Sequence, residues 1–205
     1  MKKKEVIKIK KLDKGETFIK VTSPHMNPHS TNALESPYDR VRWCAKALSR
    51  DQMRQTLQCL YIDETYIVAT DGNRLHITWN EYGYSPGLYH VLLCNSKQVI
   101  LERDADLELK DYPKFQGVIP YEGCSNGIEP YLSRDDKSLK KDELSRMLYH
   151  VYMGTGNCYN MTFLEDVTVL GSVHEFQTAS HSKQKILIVG VEDCNRIAII
   201  MPFRI

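Results

Sequence analysis

Two histidines, His25 and His29, stand four residues apart, the spacing at which a helix turns both imidazoles toward one metal ion. Pro28 lies between them and removes a backbone donor that such a helix needs, so the stretch reads as a loop without a metal site. Two pairs of neighbouring acids, Asp63-Glu64 and Asp135-Asp136, have the chemistry of general acid–base groups. Both fall in turn-like surroundings, where solvated carboxylates are the default. Asp71 precedes Gly72-Asn73 and reads as a turn-former whose side chain bonds its own backbone. Gly154-Thr155-Gly156-Asn157 follows a helical pattern, whereas a phosphate cradle follows a strand and opens a helix; the glycines read as a helix stop. Six cysteines, at 44, 59, 94, 124, 158 and 194, form no C-x-x-C pair, and several lie in apolar runs. They suit reduced, buried thiols of a cytoplasmic protein better than a disulfide framework or a zinc site. No Ser/His/Asp or Cys/His constellation can be assembled, and the G-x-S-x-G, Walker and Rossmann patterns are absent. The expectation is a chain without catalytic residues, cofactor or metal.

At 205 residues the chain can bury one solid core or two small ones. Its 42% hydrophobic and 26% charged residues are ordinary for a globular protein. Lys and Arg number 27 against 26 Asp and Glu, so any basic surface must arise by segregation of charge, not by excess. The first residues, MKKKEVIKIKK, lack the uninterrupted apolar segment of a signal peptide, and no run approaches the ~18 apolar residues of a membrane span.

The elements that would position these residues follow from periodicity. Residues 5 to 21 alternate and predict two short strands about Gly15, the second at Thr17–Val21. Residues 22 to 37 are rich in proline and small polar residues, a loop or linker. In 38 to 48, Val41, Cys44, Ala45 and Leu48 make the apolar stripe of a helix. Residues 52 to 63 alternate as a strand through Leu57, Cys59 and Tyr61. Tyr66–Ala69 and Leu75–Trp79 flank Asp71-Gly72-Asn73 as a hairpin. Leu88–Leu93 reads as a strand feeding a short helix at Asn95–Arg103, and Asp111–Pro120 as an extended, proline-bracketed segment. A helix carrying Leu144, Met147, Leu148 and Val151 follows. Then come strands at Tyr159–Glu165, Val167–Phe176, Lys185–Val191 and Arg196–Phe203. A helix followed by several antiparallel strands, more than once, predicts an α+β fold with helices on one side of curved antiparallel sheets.

Ala69-Thr70-Asp71-Gly72-Asn73-Arg74-Leu75 resembles the ATDG-x-RL signature of the bacterial DNA sliding clamp, the DNA polymerase III β subunit family. The closing Ile199-Ile200-Met201-Pro202-Phe203-Arg204-Ile205 is similar to that family's apolar-Met-Pro-x-Arg-apolar tail. Between them, Tyr112-Pro113-Lys114-Phe115 through Val118-Ile119-Pro120 resembles its aromatic-Pro-acidic-aromatic segment. The resemblance implies a DNA-clamp-like fold: 1–37 as N-terminal strands and linker, 38–120 like the clamp's middle domain and 121–205 like its last, with the usual N-terminal domain missing or reduced. Departures are Asn73 where the family has His, Gly117 where it has Arg, and Lys114 where it has an acid.

The resemblance further implies a non-enzymatic processivity factor, a homo-oligomer, that encircles or tracks duplex DNA without reading sequence. Its partners would be a replicative polymerase and clamp loader, docking short peptides in an apolar cleft. The alternative is a clamp-fold adaptor that binds peptides without encircling DNA. By position in the motifs, the cleft would take Leu57, then Thr70, Gly72, Asn73, Arg74 and Leu75 from the hairpin. Pro113 and Val118 would join from the proline segment, and Ile199, Met201, Pro202, Phe203, Arg204 and Ile205 from the tail. Arg74 and Arg204 would hold polar or carboxylate groups at its rim. Cations expected on exposed helix positions, Arg40, Arg42, Lys46, Lys97, Arg103, Lys140, Lys141 and Arg146, would meet DNA phosphates.

Overall fold

The hairpin at Asp71-Gly72-Asn73 forms as its residue types dictate. β3 (Tyr66–Thr70) and β4 (Arg74–Trp79) pair antiparallel from Tyr66↔Trp79 to Thr70↔Leu75. Gly72 has φ +91°, which a side chain would strain. The Asp71 carboxylate accepts the amides of Asn73 and Arg74 at 2.9 and 3.1 Å, and the Thr70 hydroxyl accepts that of Gly72 at 3.0 Å. Asp71 is therefore a turn-former. The computed structural model to which this hairpin belongs describes residues 18–23, 36–119, 124–128, 145, 148–149, 151–153, 155–168, 174–179, 187–191 and 196–202, with backbone alone for 124–128, 174–179 and 191.

Among the described residues ten strands join one sheet in the order β1-β6-β5-β2-β3-β4-β10-β9-β8-β7, and every neighbouring pair is antiparallel. The remaining strands are β1 (Phe18–Thr22), β2 (Cys59–Ile62), β5 (Gly87–Cys94), β6 (Gln98–Arg103), β7 (Cys124–Ile128), β8 (His174–Ala179), β9 (Leu187–Val191) and β10 (Arg196–Ile200). The β4–β10 ladder, from Thr78↔Arg196 to Arg74↔Ile200 with Leu75↔Ile199 next to last, ties the late strands to the early ones.

Because side chains alternate along a strand, the sheet has two faces with different covers. Leu60, Ile62, Ile67, Ala69, Leu101, Val189, Ala198 and Ile200 face a core that also holds Tyr38, Val41, Trp43 and Cys44 of helix α1 (Pro37–Ala45). Leu164 and Val167 of helix α2 (Met161–Val167) join the same core. Cys59, Val68, Leu75, Ile77, Leu88 and Ile199 face the other way, against Leu57, Tyr112 and Phe115. The α+β class with helices on one face is thus the observed architecture.

Helices α1 and α2 carry side-chain caps. The Ser36 hydroxyl accepts the Asp39 amide at 3.2 Å ahead of Pro37, and Asn160 Oδ1 accepts the Thr162 amide at 2.9 Å. Further along, the Gly156 amide bonds the Tyr152 carbonyl at 2.7 Å with φ +69°, a glycine helix stop.

Local chemistry overrode the expected elements at several places; within Asp111–Pro120, expected to be extended, Gln116–Val118 forms a 3-10 turn. The strand expected over 52–63 begins only at Cys59, after a 3-10 turn at Gln55–Gln58, and Asp51 holds the approach by accepting the Met53 amide and, through its carbonyl, the Gln58 side chain. Asn95–Arg103 is not a helix but the turn and second strand of a hairpin. Asn95 Oδ1 accepts the amides of Lys97 and Gln98, and the β-branched Val99 and Ile100 continue extended. Tyr159–Glu165, expected as a strand, is instead the cap and body of α2: Asn160 starts a helix whose Leu164 and Val167, three apart, share the buried face. The expected strand near Val6–Ile9, His25 and His29, and most of the helix expected around Leu144–Val151 lie outside the described residues.

His76 of β4 joins the sheet to α1. Its ring stacks on Trp43 at 4.3 Å between centroids, and its Nδ1 donates to the Trp43 carbonyl at 2.9 Å. Trp43 in turn donates from Nε1 to the Val167 carbonyl at 3.1 Å. Burial, opposed by the Trp43 bond and reinforced by the nearby arginines and lysine, pushes the imidazole down to about 3. The unfolded chain protonates near ~6.5. Between those values the unfolded state holds more protons, so the contribution is complete above ~6.5 and falls as pH drops. Urea unfolding should therefore show wild type losing about 2 kcal/mol more stability between pH 7 and pH 5 than His76→Leu, whose core cannot titrate there.

Candidate functional site

On the face away from the helices, where β4 meets β10, lies a cavity of about 150 Å³. Its walls come from three distant stretches, with Leu57 added from a fourth. The hairpin supplies Thr70, Gly72, Asn73, Arg74 and Leu75. The end of β10 supplies Ile199 and Met201, and Leu57 enters from the 3-10 turn before β2. The third wall is the segment after β6, with Pro113, Lys114, Phe115 and Val118. Leu57, Leu75, Phe115 and Ile199 belong to one buried cluster, so the lining is a continuation of the core that opens to solvent.

Each wall is held by identifiable bonds. The Met201 amide donates to the Asn73 carbonyl at 2.8 Å, extending the β4–β10 ladder past its last pair and tethering the tail to the turn. At Gly72 the left-handed backbone requires glycine; a Cβ would also fall 2.9 Å from Arg54 Nη1, the tip of an exposed side chain that donates to the Asp71 carbonyl and would have to swing aside. The third wall starts at Asp104, whose Oδ1 accepts the amides of Asp106 and Leu107 at 2.8 and 3.0 Å. Tyr61 then anchors it, with its ring 5.2 Å from both Tyr112 and Phe115. The lining can accept spaced apolar side chains, and Val118, 42% exposed, stands at its open side.

Ten residues named from the sequence, Leu57, Thr70, Gly72, Asn73, Arg74, Leu75, Pro113, Val118, Ile199 and Met201, are brought together here. Pro202 is half-buried and is not among the lining residues, and Phe203, Arg204 and Ile205 lie outside the described residues. Lys114 and Phe115 line the cavity although the sequence argument passed over them; their place beside Pro113 was the available signal.

Arg74 does not serve the rim as expected. Its guanidinium bonds Asp71 Oδ2 at 3.0 Å, Asp166 Oδ2 at 2.6 Å and the Lys46 carbonyl at 2.5 Å, and covers the Phe163 ring at 4.4 Å. Lys46, Phe163 and Asp166 belong to the helix side of the sheet, and strand alternation sends Arg74 there while Leu75 faces the cavity. Lys114 is the exposed cation among the lining residues.

The cations expected to face DNA divide. Arg40 is 2% exposed, bonded to Glu81 at 2.9 Å and lying over the Tyr82 ring; packed beneath the 80–84 loop it has no surface to offer a phosphate. Arg42 is exposed on α1, with Nη1 donating to the Tyr38 hydroxyl at 3.1 Å. Lys46, just past α1, bonds the carbonyl and carboxylate of Asp166, and burial draws its ammonium below the usual lysine range against the pull of that carboxylate. Lys97 and Arg103 are exposed, but on the β5–β6 turn and the end of β6 instead of a helix. Lys140, Lys141 and Arg146 lie outside the described residues.

The sheet also assembles a Cys/His group where the sequence suggested none. Cys59 and His90 are register partners across β2 and β5, and Asp104 follows β6.

Asp166 is the partner of Arg74 that comes from the far half of the chain. Removing it leaves a guanidinium that is 9% exposed short of one charged partner. Asp166→Ala should cost ~1–3 kcal/mol of unfolding free energy in urea, and Asp166→Asn less, since an amide oxygen still accepts.

No protein-family model matches the sequence, nor does any curated protein sequence. Solved structures do match by fold. The DNA polymerase III β subunit of Thermotoga maritima matches over 98% of this chain and 69% of its own, at 13% identity and a TM-score of 0.53. The β chain from Streptococcus pneumoniae matches over 100% and 69%, at 11% identity and 0.54. The β subunit of Borrelia burgdorferi, solved in complex with a natural product, matches over 93% and 65%, at 13% identity and 0.53. The chain thus spans 65–69% of the length of these proteins. Its fold is that of the bacterial DNA polymerase III β-subunit sliding clamp.

Proposed function

We propose that this chain is a non-enzymatic sliding-clamp-like processivity factor. It tracks or encircles duplex DNA as a homo-oligomer in the cytoplasm and docks extended peptides of a replicative polymerase or clamp loader. The observation that carries the reading is the cavity at the β4–β10 seam, built within a clamp fold from the hairpin, the proline segment and the tail. Residues 38–120 act as the middle-domain-like unit and 121–205 as the last-domain-like unit, with the cavity between them. Leu57, Leu75, Ile199 and Met201 receive the apolar anchors, and Lys114 meets a peptide carboxylate. Phe203, Arg204 and Ile205 are assigned to the same peptide-docking role by their place in the tail motif alone. Among the described residues, no helix is long and apolar enough to cross a membrane.

The reading as a peptide-binding adaptor without DNA encirclement draws on a separate observation: Arg40 is buried against Glu81, and Lys46, though exposed, is already paired with Asp166. The processivity reading therefore relies on Arg42, Lys97 and Arg103, which keep exposed positions.

Two measurements test these claims. A labelled polymerase C-terminal peptide should bind wild type and lose at least ~10-fold in affinity to Val118→Asp, whose exposed position leaves the melting temperature unchanged. Equal binding by both proteins rejects the cleft. On nicked circular DNA at low salt, Arg42→Glu with Lys97→Glu should reduce retention of the full chain, since each lost phosphate contact weakens a salt-dependent interaction. Unchanged retention rejects the DNA-facing surface. Absence of retention in wild type favours the adaptor.

A further inference from the structure

Cys59, His90 and Asp104 take no part in the cavity, yet one ligand atom from each lies within 4.8 Å of the others. The grouping follows from the topology. Cys59 and His90 face one another in the β2–β5 register, and β6 returns the chain so that Asp104 closes the triangle. Cys59 Sγ is 3.6 Å from His90 Nε2, and that nitrogen is 2.7 Å from Asp104 Oδ2. The other Asp104 oxygen is occupied by the amides of Asp106 and Leu107. The carboxylate is therefore oriented by the backbone, with Oδ2 presented to the imidazole.

A Cys-His-Asp set also suits a nucleophile, but the geometry argues against one. Cys59 is fully buried, so no substrate reaches its sulfur. Its Sγ is nearly equidistant from the two ring nitrogens, at 3.5 and 3.6 Å, which places it over the imidazole and out of line with either lone pair. Burial and then the Asp104 carboxylate push the thiol up to about 12, the wrong direction for attack on a substrate.

We propose that Cys59, His90 and Asp104 bind a borderline-soft divalent metal ion, Zn2+ foremost. Thiolate, imidazole and carboxylate together select such an ion over Mg2+ or Ca2+. Tetrahedral zinc bonded at its usual lengths separates a sulfur from a nitrogen by about 3.5 Å and a nitrogen from an oxygen by about 3.3 Å. The sulfur–nitrogen edge is already at that length, and the nitrogen–oxygen edge must open by a fraction of an ångström. The His90 ring must also turn to aim its lone pair at the ion, and its side chain, 38% exposed, has room to do so. The metal replaces the thiol proton, which goes to solvent, and the fourth position is left to water. Once seated, the ion cross-links β2, β5 and the start of the 104–119 segment.

Co2+ reports this site directly, because a thiolate ligand gives a sulfur-to-cobalt charge-transfer band. The full chain, tag-free, reduced and stripped with chelator, is titrated with Co2+ and then with Zn2+. The proposal expects one Co2+ per site with that band, displacement by Zn2+, and a melting temperature that rises with added Zn2+. The band should persist in Cys94→Ser with Cys158→Ser, which silences the exposed thiols among the described residues, persist likewise in Cys124→Ser with Cys194→Ser, and vanish in Cys59→Ala. His90→Asn and Asp104→Asn alter partly exposed side chains, so they keep the test open should Cys59→Ala misfold. Each should weaken Co2+ binding at least about tenfold. Absence of the band in wild type, or a band indifferent to His90→Asn and Asp104→Asn, overturns the proposal.

Discussion

One guanidinium, that of Arg74, joins three separate parts of the chain at a single point. It neutralises Asp71 in its own turn, bonds the carbonyl of Lys46 just past α1, and reaches Asp166 in α2, 92 residues away. Phe163 covers its plane, which keeps water from competing for these bonds. A cation at 9% exposure is tolerable only when its donors are satisfied, and here two carboxylates and a carbonyl do so. The position of α2 against the sheet, and with it the Trp43–Val167 contact, depends on that satisfaction. A lysine at this position would supply the charge without the fork that divides it among three partners.

The two faces of the sheet have unequal covers, and the cavity is a product of that inequality. Helices with regular apolar stripes close one face fully around Trp43 and His76. The other face is closed by a strap of short turns, 104–119, pinned at Asp104 and by the aromatic cluster of Tyr61, Tyr112 and Phe115. A strap follows the sheet less closely than a helix, and the seam between β4 and β10 is where it leaves apolar side chains uncovered. Leu75 and Ile199, paired across the ladder, are therefore both core residues and lining residues.

What could be read from the sequence was what local chemistry decides. Asp71-Gly72-Asn73 makes its turn with its own side chains, and the alternation of Leu57, Cys59 and Tyr61 places all three on one face even though Leu57 lies in a 3-10 turn. Short segments failed where the two periodicities overlap. Val99 and Leu101 fit either a strand or a turn of helix until β1 and β5 pair on both sides. The caps of Asn95 and Asn160 look alike in sequence, yet one turns a hairpin and the other starts a helix. Exposure of charge was not legible either: Arg40 and Arg42 are two positions apart, and the helix sends one inward to Glu81 and the other to solvent. The Cys59-His90-Asp104 group has no spacing to read, because its members meet only through strand register.

The β4–β10 seam also orders the folding of the chain in time. β2, β3 and β4 are neighbours in sequence as well as in space, and β5 with β6 forms another hairpin, so their closure entropy is small. β10 must instead diffuse back to β4 from more than a hundred residues away. Contacts of such separation form slowly and late. Until they do, the hairpin presents the bare edge of β4, with Leu75 and Ile77 uncovered, and the cavity does not yet exist. An incompletely folded chain therefore has a sticky edge and no binding site, whereas joining β10 removes the first and creates the second in a single step.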